Sequence, residues 1–327
     1  MIRSSLSLFL AMSLAVTGCK TVPEPSPELT PVVMQFDWIF NAQFAGIYQA
    51  IEQGYYGDAG IEVQMRAGVT QADTVPSTLA EPLISLGCSE LNVLLADVAA
   101  GQPAVALGTM FQDSPMGWMY LKDGPVAAFT DLPKVRVGIH PDGARILNEL
   151  LIAAGEDISN FETFEASYDP GQLFDGSADA LQCYYIDEFV KLEQMVGDNA
   201  GVFLAKDQGY RAYSQVMFTH RDTIEYHPEL VSAFLKATRD GWAYALANPE
   251  ETVDLIIEKY NPELDRAYQI RSLQKITELM IPEGGYLFEP MDPTVVETVL
   301  AGLSESGQID AEVDMETLLQ QQFLPSP

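Results

Sequence analysis

The chain has 327 residues, of which 47 are Asp or Glu and 17 are Lys or Arg, giving a formal net charge of −30 at pH 7. Such an acidic surface repels nucleic acid phosphates and anionic lipid headgroups, so we expect no nucleic acid partner. From about residue 32 to the end, the chain is long enough for two lobes, each with its own hydrophobic core. We expect it to act as a monomer.

The N-terminus has the features of a bacterial export signal. Arg3 precedes an apolar stretch at 6–16 that is too short to span a bilayer, and Gly18-Cys19 follows. Small residues before a cysteine resemble a lipobox, in which Cys19 is acylated and becomes the mature N-terminus. We therefore interpret residues 1–18 as a lipoprotein signal peptide. An ordinary signal peptide and a buried N-terminus are the alternatives.

Residues 19–31 predict a tether. The segment contains four prolines together with serine and glutamate, a composition that does not pack a core. No later run of the sequence reaches the roughly 18 apolar residues of a spanning helix. We expect a protein that a lipid anchors to a membrane at a periplasmic or other extracytoplasmic face.

Short apolar runs alternate with amphipathic stretches up to residue 111, a pattern typical of strands and helices. Strands are predicted at 32–38, 61–66, within 85–94 and at 104–111, and helices at 45–53, 72–83 and 97–101. This alternation favours a largely parallel sheet covered by helices.

A second alternating unit follows, and then a helical region. Its predicted strands are 134–139, 162–166, 178–184 and the extended segment 212–219, and its helices are 144–155 and 186–195. From residue 228 onward the pattern is helical to the end, with an interruption around 282–293. The chain thus predicts two α/β units, with the C-terminal helices packed on the first.

We assign residues 32–118 and 218–327 to lobe I and residues 119–217 to lobe II. The chain would cross between the lobes near 119–125 and again near 216–219, and two such crossings make a hinge. Ligands of open α/β sheets bind beyond the carboxyl ends of the strands. Two such edges facing each other would enclose a ligand in an interlobe cleft.

The cysteines and histidines indicate no metal site. Cys88 and Cys183 lie in apolar segments far apart in the sequence, and we expect two buried free thiols, with a disulfide as the alternative. The three histidines, His140, His220 and His227, lack metal-ligand spacing. The sequence contains no phosphate-loop, dinucleotide-binding or nucleophile-elbow motif, so we expect neither a metal nor a cofactor.

The segment 35–63 reads QFDWIFNAQFAGIYQAIEQGYYGDAGIEV. It combines a strand ending in Asp-Trp, an Asn, Ala-Gly-Ile-Tyr, Gly-Tyr-Tyr and Gly-Ile-Glu-Val. Later come AAGQPAVALGTMFQDSP, GSADALQCYYIDEFVKLEQ and HPELVSAFLKATRDGWAYALANPEETV. In this order the segments resemble the NMT1/THI5-like group of periplasmic binding proteins, which includes thiamine-precursor binders. The resemblance covers nearly the whole mature chain.

The resemblance implies an α/β fold of the two-lobed periplasmic-binding-protein type II class, with a hinge between the lobes. It implies that the chain is the substrate-binding component of an ABC importer, with a permease and an ATPase as partners, and that it is not an enzyme. It also implies a flat heteroaromatic ligand, such as an aminopyrimidine precursor of thiamine.

Aromatic faces and a few directed polar groups suit such a ligand. The candidate binding residues follow predicted strands at the cleft: Trp38, Asn41, Phe44, Asn92, Gln112, Asp113, Tyr184, Tyr185 and Glu188. The carboxylate of Glu188 or Asp187 would accept hydrogen bonds from an amino group and an adjacent protonated ring nitrogen.

One of Tyr184 and Tyr185 would stack on the ligand and the other would lie in the core, because neighbours on a strand point to opposite faces. Trp38 as a core residue and Glu188 as a solvated helix residue are alternatives. The turn that begins at His140 is a further candidate, as are Tyr210 and Tyr213.

Three other functions are kept open. The eukaryotic relatives of this group make the thiamine pyrimidine from a histidine and pyridoxal phosphate, which implies a histidine in the first loop, a lysine after the third strand and a cysteine cluster. Here Phe44 occupies the loop, the segment GCSELNVLLADVAAG contains neither lysine nor histidine, and no cysteine cluster follows Cys183. The other two are a binder of a sulfonate, flavin or amino acid, and a sensor without a transporter.

Overall fold

The computed structural model describes residues 29–68, 73–140, 143–281 and 285–326. The predicted signal peptide, Cys19 and most of the predicted tether lie outside the described residues. The first strand begins at Thr30 and pairs Pro31 with Glu62, so the end of the predicted tether belongs to a sheet instead. Within the described ranges, no helix combines the length and apolar character needed to cross a membrane.

Ten strands of the described chain form two five-stranded sheets. They are β1 (Thr30–Gln35), β2 (Ile61–Arg66), β3 (Ile84–Ser89), β4 (Ala104–Phe111), β5 (Met116–Leu121), β6 (Val137–Ile139), β7 (Thr163–Glu165), β8 (Ala180–Tyr184), β9 (Ala200–Leu204) and β10 (Ser214–His220). The first sheet, of lobe I, has the order β2-β1-β3-β10-β4, and the second, of lobe II, has the order β7-β6-β8-β5-β9.

Helices cover both sheets. They are α1 (Ala45–Glu52), α2 (Tyr55–Asp58), α3 (Thr74–Leu79), α4 (Leu91–Ala99), α5 (Gly143–Ala153), α6 (Glu188–Val196), α7 (Arg221–Tyr226), α8 (Pro228–Ala247), α9 (Pro249–Leu255), α10 (Arg266–Met280), α11 (Pro293–Glu305) and α12 (Met315–Leu318). Single-turn helices join them, including Ala42–Phe44 before α1. The predicted two-lobed α/β architecture is confirmed.

Each sheet contains one strand that runs antiparallel to both of its neighbours, which the sequence pattern did not predict. These strands are β10 in the first sheet and β5 in the second. Both have just arrived from the other lobe. Because the chain leaves one lobe at the carboxyl edge of its parallel strands and enters the other at the facing edge, the entering strand runs against its neighbours.

The crossings between lobes lie at 112–115 and 205–213, so the predicted positions near 119–125 and 216–219 are wrong by several residues. Met116–Leu121 pairs in the second sheet, although we assigned 116–118 to lobe I. Ser214 and Val216 pair in the first sheet, although we assigned them to lobe II. The cleft therefore lies at the strand ends next to these two crossings.

Helices α1 and α8 pack closely against each other in lobe I. A Cβ atom added to Gly241 would lie 2.1 Å from the backbone oxygen of Gly46, and one added to Gly46 would lie 2.2 Å from the Trp242 ring. Two glycines thus allow the helix backbones to approach closely, and the fully buried Trp242 fills the space beside them. This packing fixes α1 under the loop that follows β1.

Cys88 and Cys183 are buried free thiols in different sheets, as expected. Burial raises the pKa of both thiols well above its ordinary value, which keeps them neutral.

Candidate ligand-binding site

A buried polar cluster lies at the carboxyl edge of the first sheet. Asp37 follows β1, Ser89 ends β3 and Glu90 follows it, and Ser214 and Gln215 begin β10; all five are buried. The carboxylate of Asp37 accepts a hydrogen bond from Gln215 Nε2 at 2.7 Å. Burial raises the pKa of the Asp37 carboxyl to about 7. Because this edge faces the crossings, the cluster forms the floor of lobe I at the cleft.

Two atoms of this cluster are buried without a hydrogen-bond partner among the described residues. They are Gln215 Oε1 and Ser89 Oγ. Gln215 also has a φ of 55°, in the left-handed region that is strained for a residue other than glycine. An unsatisfied buried polar atom costs about 1–3 kcal/mol. Strain and an unmet hydrogen bond at one residue make Gln215 a candidate for contact with a ligand.

The other half of the cluster is internally satisfied. The Ser214 hydroxyl donates to the Glu90 carboxylate, and Thr109 Oγ1 donates to the backbone oxygen of Ser214 at 2.7 Å. These bonds fix the start of β10 between β3 and β4. They therefore hold Gln215 in position next to Asp37.

Lobe II contributes Tyr184 and Glu188 at the end of β8. Glu188 is buried, and its Oε2 accepts a hydrogen bond from the backbone N–H of Tyr184 at 2.7 Å. Burial, and then the neighbouring Asp187, raise the pKa of the Glu188 carboxyl to about 7. Tyr184 is half-buried and packs against hydrophobic clusters of both lobes. Both residues thus lie at the interlobe edge, where their contact with a ligand stays a prediction.

Aromatic rings meet across the lobes beside this cluster. Trp38 of lobe I is half-buried, and its ring centroid lies 6.3 Å from that of Tyr168 in lobe II. Tyr168 in turn packs on His140, with ring centroids 4.2 Å apart. The placement of Trp38 at the edge of lobe I agrees with the expected cleft, whereas Tyr168 was not among the candidates.

Two candidates from the first loop have structural roles instead. Phe44 is fully buried and stacks on Phe36 with ring centroids 3.9 Å apart, so the expectation that it lines the mouth is wrong. The Asn41 side chain accepts a hydrogen bond from the Gln43 backbone N–H at 2.9 Å and caps the following helical turn. Asn92 is half-buried in the first turn of α4, next to Glu90.

Gln112 and Asp113 form structural contacts at the first crossing between the lobes. The Gln112 backbone N–H donates to Leu279 O at 2.8 Å, and its side chain donates to Glu289 O at 2.7 Å. Asp113 forms an ion pair of 3.0 Å with Lys206 of the second crossing. These bonds join the two crossings to each other and to the end of α10.

Tyr185 lies at a contact between lobe II and α10, a helix that also packs on β4 and α9 of lobe I. Its hydroxyl donates to Glu278 at 3.1 Å, and Lys275 Nζ lies 3.7 Å from its ring centroid. One face of Tyr185 is therefore covered by a cation of the protein itself. The expectation that one of the two tyrosines lies in the core does not describe Tyr185, which meets α10 instead. The stacking of Tyr184 on a ligand stays a prediction.

The same contact contains a buried ion pair. The Lys275 side chain is 1% exposed, and its Nζ lies 3.2 Å from Glu193 of α6. Arg271 pairs with the same carboxylate at 3.0 Å, and Tyr268 donates to Asp187, the residue before Glu188. The α6–α10 contact thus joins the lobes directly behind the end of β8.

Replacing Glu193 with alanine is expected to lower the free energy of unfolding by about 2–3 kcal/mol. Loss of one partner of a buried pair costs about 3–5 kcal/mol, and Glu193 is itself 23% exposed, which reduces the loss. Urea denaturation measures the effect. The matched control is Lys191→Ala, which breaks the exposed pair with Asp169, leaves the hydrogen bond from Gly171 to Asp169 in place and should cost less than about 1 kcal/mol. Equal losses in both variants would contradict a stabilising α6–α10 contact.

Two surface depressions lie away from the cleft between the lobes. One of about 550 Å³ is lined by residues that precede β6, β7 and β8, including Arg136, Glu162 and Asp179. It therefore lies at the amino edge of the second sheet, opposite the cleft. Another, of about 280 Å³, lies between α2 and α8. No group of metal-ligating side chains occurs among the residues that the structure describes.

Sequence patterns did not single out five residues of this site, which are Asp37, Ser89, Glu90, Gln215 and Tyr168. Asp37 could have been noticed, since it is an acidic residue near the end of the apolar strand predicted at 32–38. No local sequence pattern could have indicated Gln215, because its hydrogen-bond partner Asp37 is 178 residues away in the sequence.

Comparison with known proteins places this chain in a family. A family model described as NMT1/THI5 like matches residues 41–252, more than half of the chain. The chain belongs to the NMT1/THI5-like family. A formylaminopyrimidine-binding protein of Halalkalibacterium halodurans is 26% identical over 320 residues, which covers 95% of this chain and 96% of that protein.

Other similarities agree on the fold and differ in function. The 4-amino-5-hydroxymethyl-2-methylpyrimidine phosphate synthase of Legionella pneumophila is 28% identical over 238 residues, 69% of this chain and 73% of that protein. The periplasmic aliphatic sulphonate binding protein SsuA of Escherichia coli superposes with a TM-score of 0.70 at 13% identity, over 91% of this chain and 99% of that one. This NMT1/THI5-like chain thus has the fold of periplasmic binding proteins.

Proposed function

We propose that the protein binds a small heteroaromatic nutrient, most readily a pyrimidine precursor of thiamine, in the cleft between its lobes and delivers it to an ABC permease and its ATPase. The observation that carries this proposal is the buried cluster of Asp37, Ser89 and Gln215. It offers hydrogen-bond acceptors at the cleft edge of lobe I. Amino and ring N–H groups of an aminopyrimidine are the donors that such a cluster can accept.

The hydrogen-bond acceptors of the cluster also disfavour the binding of anionic ligands. Anionic groups such as sulfonates are bound by cations, hydroxyls and backbone N–H groups, and a buried carboxyl beside an amide oxygen opposes them. Glu188 adds a further buried carboxyl at the facing edge of lobe II. A neutral or cationic donor-rich ring therefore fits this cleft better than a sulfonate.

The alternative function is that of a pyrimidine synthase, because a relative carries that name. Pyridoxal phosphate needs a lysine amine for its aldehyde and donors for its phosphate. The described residues of the polar cluster are carboxyls, hydroxyls and an amide, and Lys206 and Lys275 are held in ion pairs. The cluster does not fit this cofactor, and a binding role without chemistry is the better proposal.

Delivery to a permease requires a position at the outer face of the membrane. The sequence motif ending in Cys19 supports a lipid anchor there, and the proline-rich segment supports a tether between the anchor and lobe I. Diffusion of the bound ligand to the permease would then be confined to the membrane surface.

The ligand is tested by thermal unfolding of the chain from Lys20 onward, which retains both sheets. With 4-amino-5-hydroxymethyl-2-methylpyrimidine or formylaminopyrimidine at 100 times the dissociation constant, we expect stabilisation of about 2.7 kcal/mol and a rise in Tm of about 5 °C. Riboflavin and an alkanesulfonate are the comparison ligands. A rise with one of these alone would replace the pyrimidine as ligand, and an imine absorbance with pyridoxal phosphate would favour the synthase.

A further inference from the structure

Trp38 and Tyr168 lie close together although they belong to different lobes. Each lies three residues beyond a strand, Trp38 after β1 of the first sheet and Tyr168 after β7 of the second. Their ring centroids are 6.3 Å apart and their planes meet at 50°. This is a direct aromatic contact between the lobes, at the edge where a ligand would enter.

Tyr168 is exposed and yet supported from behind. Its exposed fraction is 58%, which is high for a large aromatic residue. His140 packs on it with ring centroids 4.2 Å apart. His140 is buried, and its backbone N–H donates to Gln182 Oε1 at 2.8 Å, which fixes the end of β6 to β8. The buried His140 ring thus supports the exposed Tyr168 side chain from within lobe II.

We propose that Trp38 and Tyr168 are the two walls of a slot for one planar ring, so that Tyr168 determines the preference of lobe II for flat ligands. A ring stacked between two aromatic faces needs about 3.5 Å on each side, or roughly 7 Å between the walls. The present separation of 6.3 Å is slightly smaller. A planar ring therefore fits after a small separation of the lobes and a rotation of the two rings towards parallel.

The slot rests on the proposed binding function and refines it. It assigns a stacking role in lobe II to Tyr168, because the Tyr168 ring contacts Trp38 directly, whereas one face of Tyr185 is covered by Lys275. It also places the stacked ring beside Asp37, the residue before Trp38. A tetrahedral sulfonate is too thick for a gap of one ring, so the slot selects against it by shape as well as by charge.

Tryptophan fluorescence tests the slot with and without a ligand. The chain has three tryptophans, and Trp118 and Trp242 are fully buried, so Trp38 gives the response to quenchers. In the absence of ligand, Tyr168→Ala should raise the acrylamide quenching constant of Trp38. Phe174→Ala, which removes another exposed aromatic residue of lobe II, should leave it unchanged. Equal quenching in the wild type and Tyr168→Ala would overturn the slot.

In the second part of the experiment, the protein is titrated with three planar probes, which are 4-amino-5-hydroxymethyl-2-methylpyrimidine, formylaminopyrimidine and riboflavin. For a probe that binds, Tyr168→Ala should raise Kd at least tenfold, while Tyr168→Phe and Phe174→Ala should change it less than about twofold. Unchanged affinity in Tyr168→Ala would overturn the slot alone. If only riboflavin binds and Tyr168→Ala weakens its binding, the slot is supported and the proposal of a pyrimidine ligand is contradicted. Failure of all three probes to bind the wild type would overturn the slot together with the proposed ligand.

Discussion

Replacing Gly241 with alanine is expected to destabilise lobe I by about 3 kcal/mol or more. The added Cβ would lie 2.1 Å from Gly46 O and 2.7 Å from Ala50, so α1 and α8 would have to separate. Overpacking of a close-packed interior costs about 1–3 kcal/mol, and here the obstacle is backbone that cannot rotate away. Urea denaturation followed by far-UV circular dichroism measures the loss.

Gly57→Ala is the control for this substitution. Gly57 lies in α2, and a Cβ added there would have no atom within 4 Å. Since alanine is a better helix former than glycine, this variant should be unchanged or more stable by up to about 1 kcal/mol. If Gly241→Ala were as stable as Gly57→Ala, the close approach of α1 and α8 would be contradicted.

Replacing Asp37 with asparagine is expected to stabilise the protein relative to the wild type by an amount that grows with pH. Burial raises the pKa of Asp37 from 3.8 to about 7, so the folded state favours the neutral carboxyl. That contribution to stability is fully present below about pH 4 and is lost as the pH rises through 7. Asparagine stays neutral throughout, so its advantage should be about 2–3 kcal/mol greater at pH 8 than at pH 5.

The measurement is the free energy of unfolding of both proteins at pH 5 and pH 8. Glu188, whose pKa burial also raises to about 7, is present in both proteins and largely cancels from the comparison. Asp58→Asn, at an exposed position of α2, is the control and should show the same difference from wild type at both pH values. A pH-independent effect of Asp37→Asn would show that the carboxyl is not buried as described.

Local sequence patterns predicted most parallel strands and the long helices. The bounds of β2 and β4 agree with the prediction, because each is a distinct apolar or alternating run that begins after a turn. Strands β5 and β9 were not predicted, because their sequences MGWMYL and AGVFL are short and lack alternation. Both are stabilised by pairing with each other, which no local pattern reports.

The candidate site was predictable where a single chain segment forms it. Trp38 and Glu188 could be placed near a strand end of their lobes from the sequence, because each comes at the end of an apolar strand, and their contact with a ligand stays a prediction. Phe44 was misplaced, because one residue in a loop can face either the core or the cleft, and only its stacking on Phe36 decides. The position of Gln215 next to Asp37 depends on where β10 enters the first sheet after the chain returns from lobe II, and local sequence patterns do not show this topology.

The position of β10 has a consequence for the order in which the protein assembles. The second sheet is built from one continuous stretch, from β5 to β9, whereas β10 lies between β3 and β4 and is the last strand to be synthesised. Until it arrives, β3 and β4 each present an open edge, and such edges invite pairing with other chains. The lobe that is synthesised first is therefore the last to be completed, and an incomplete chain is at greatest risk of aggregation through its N-terminal half.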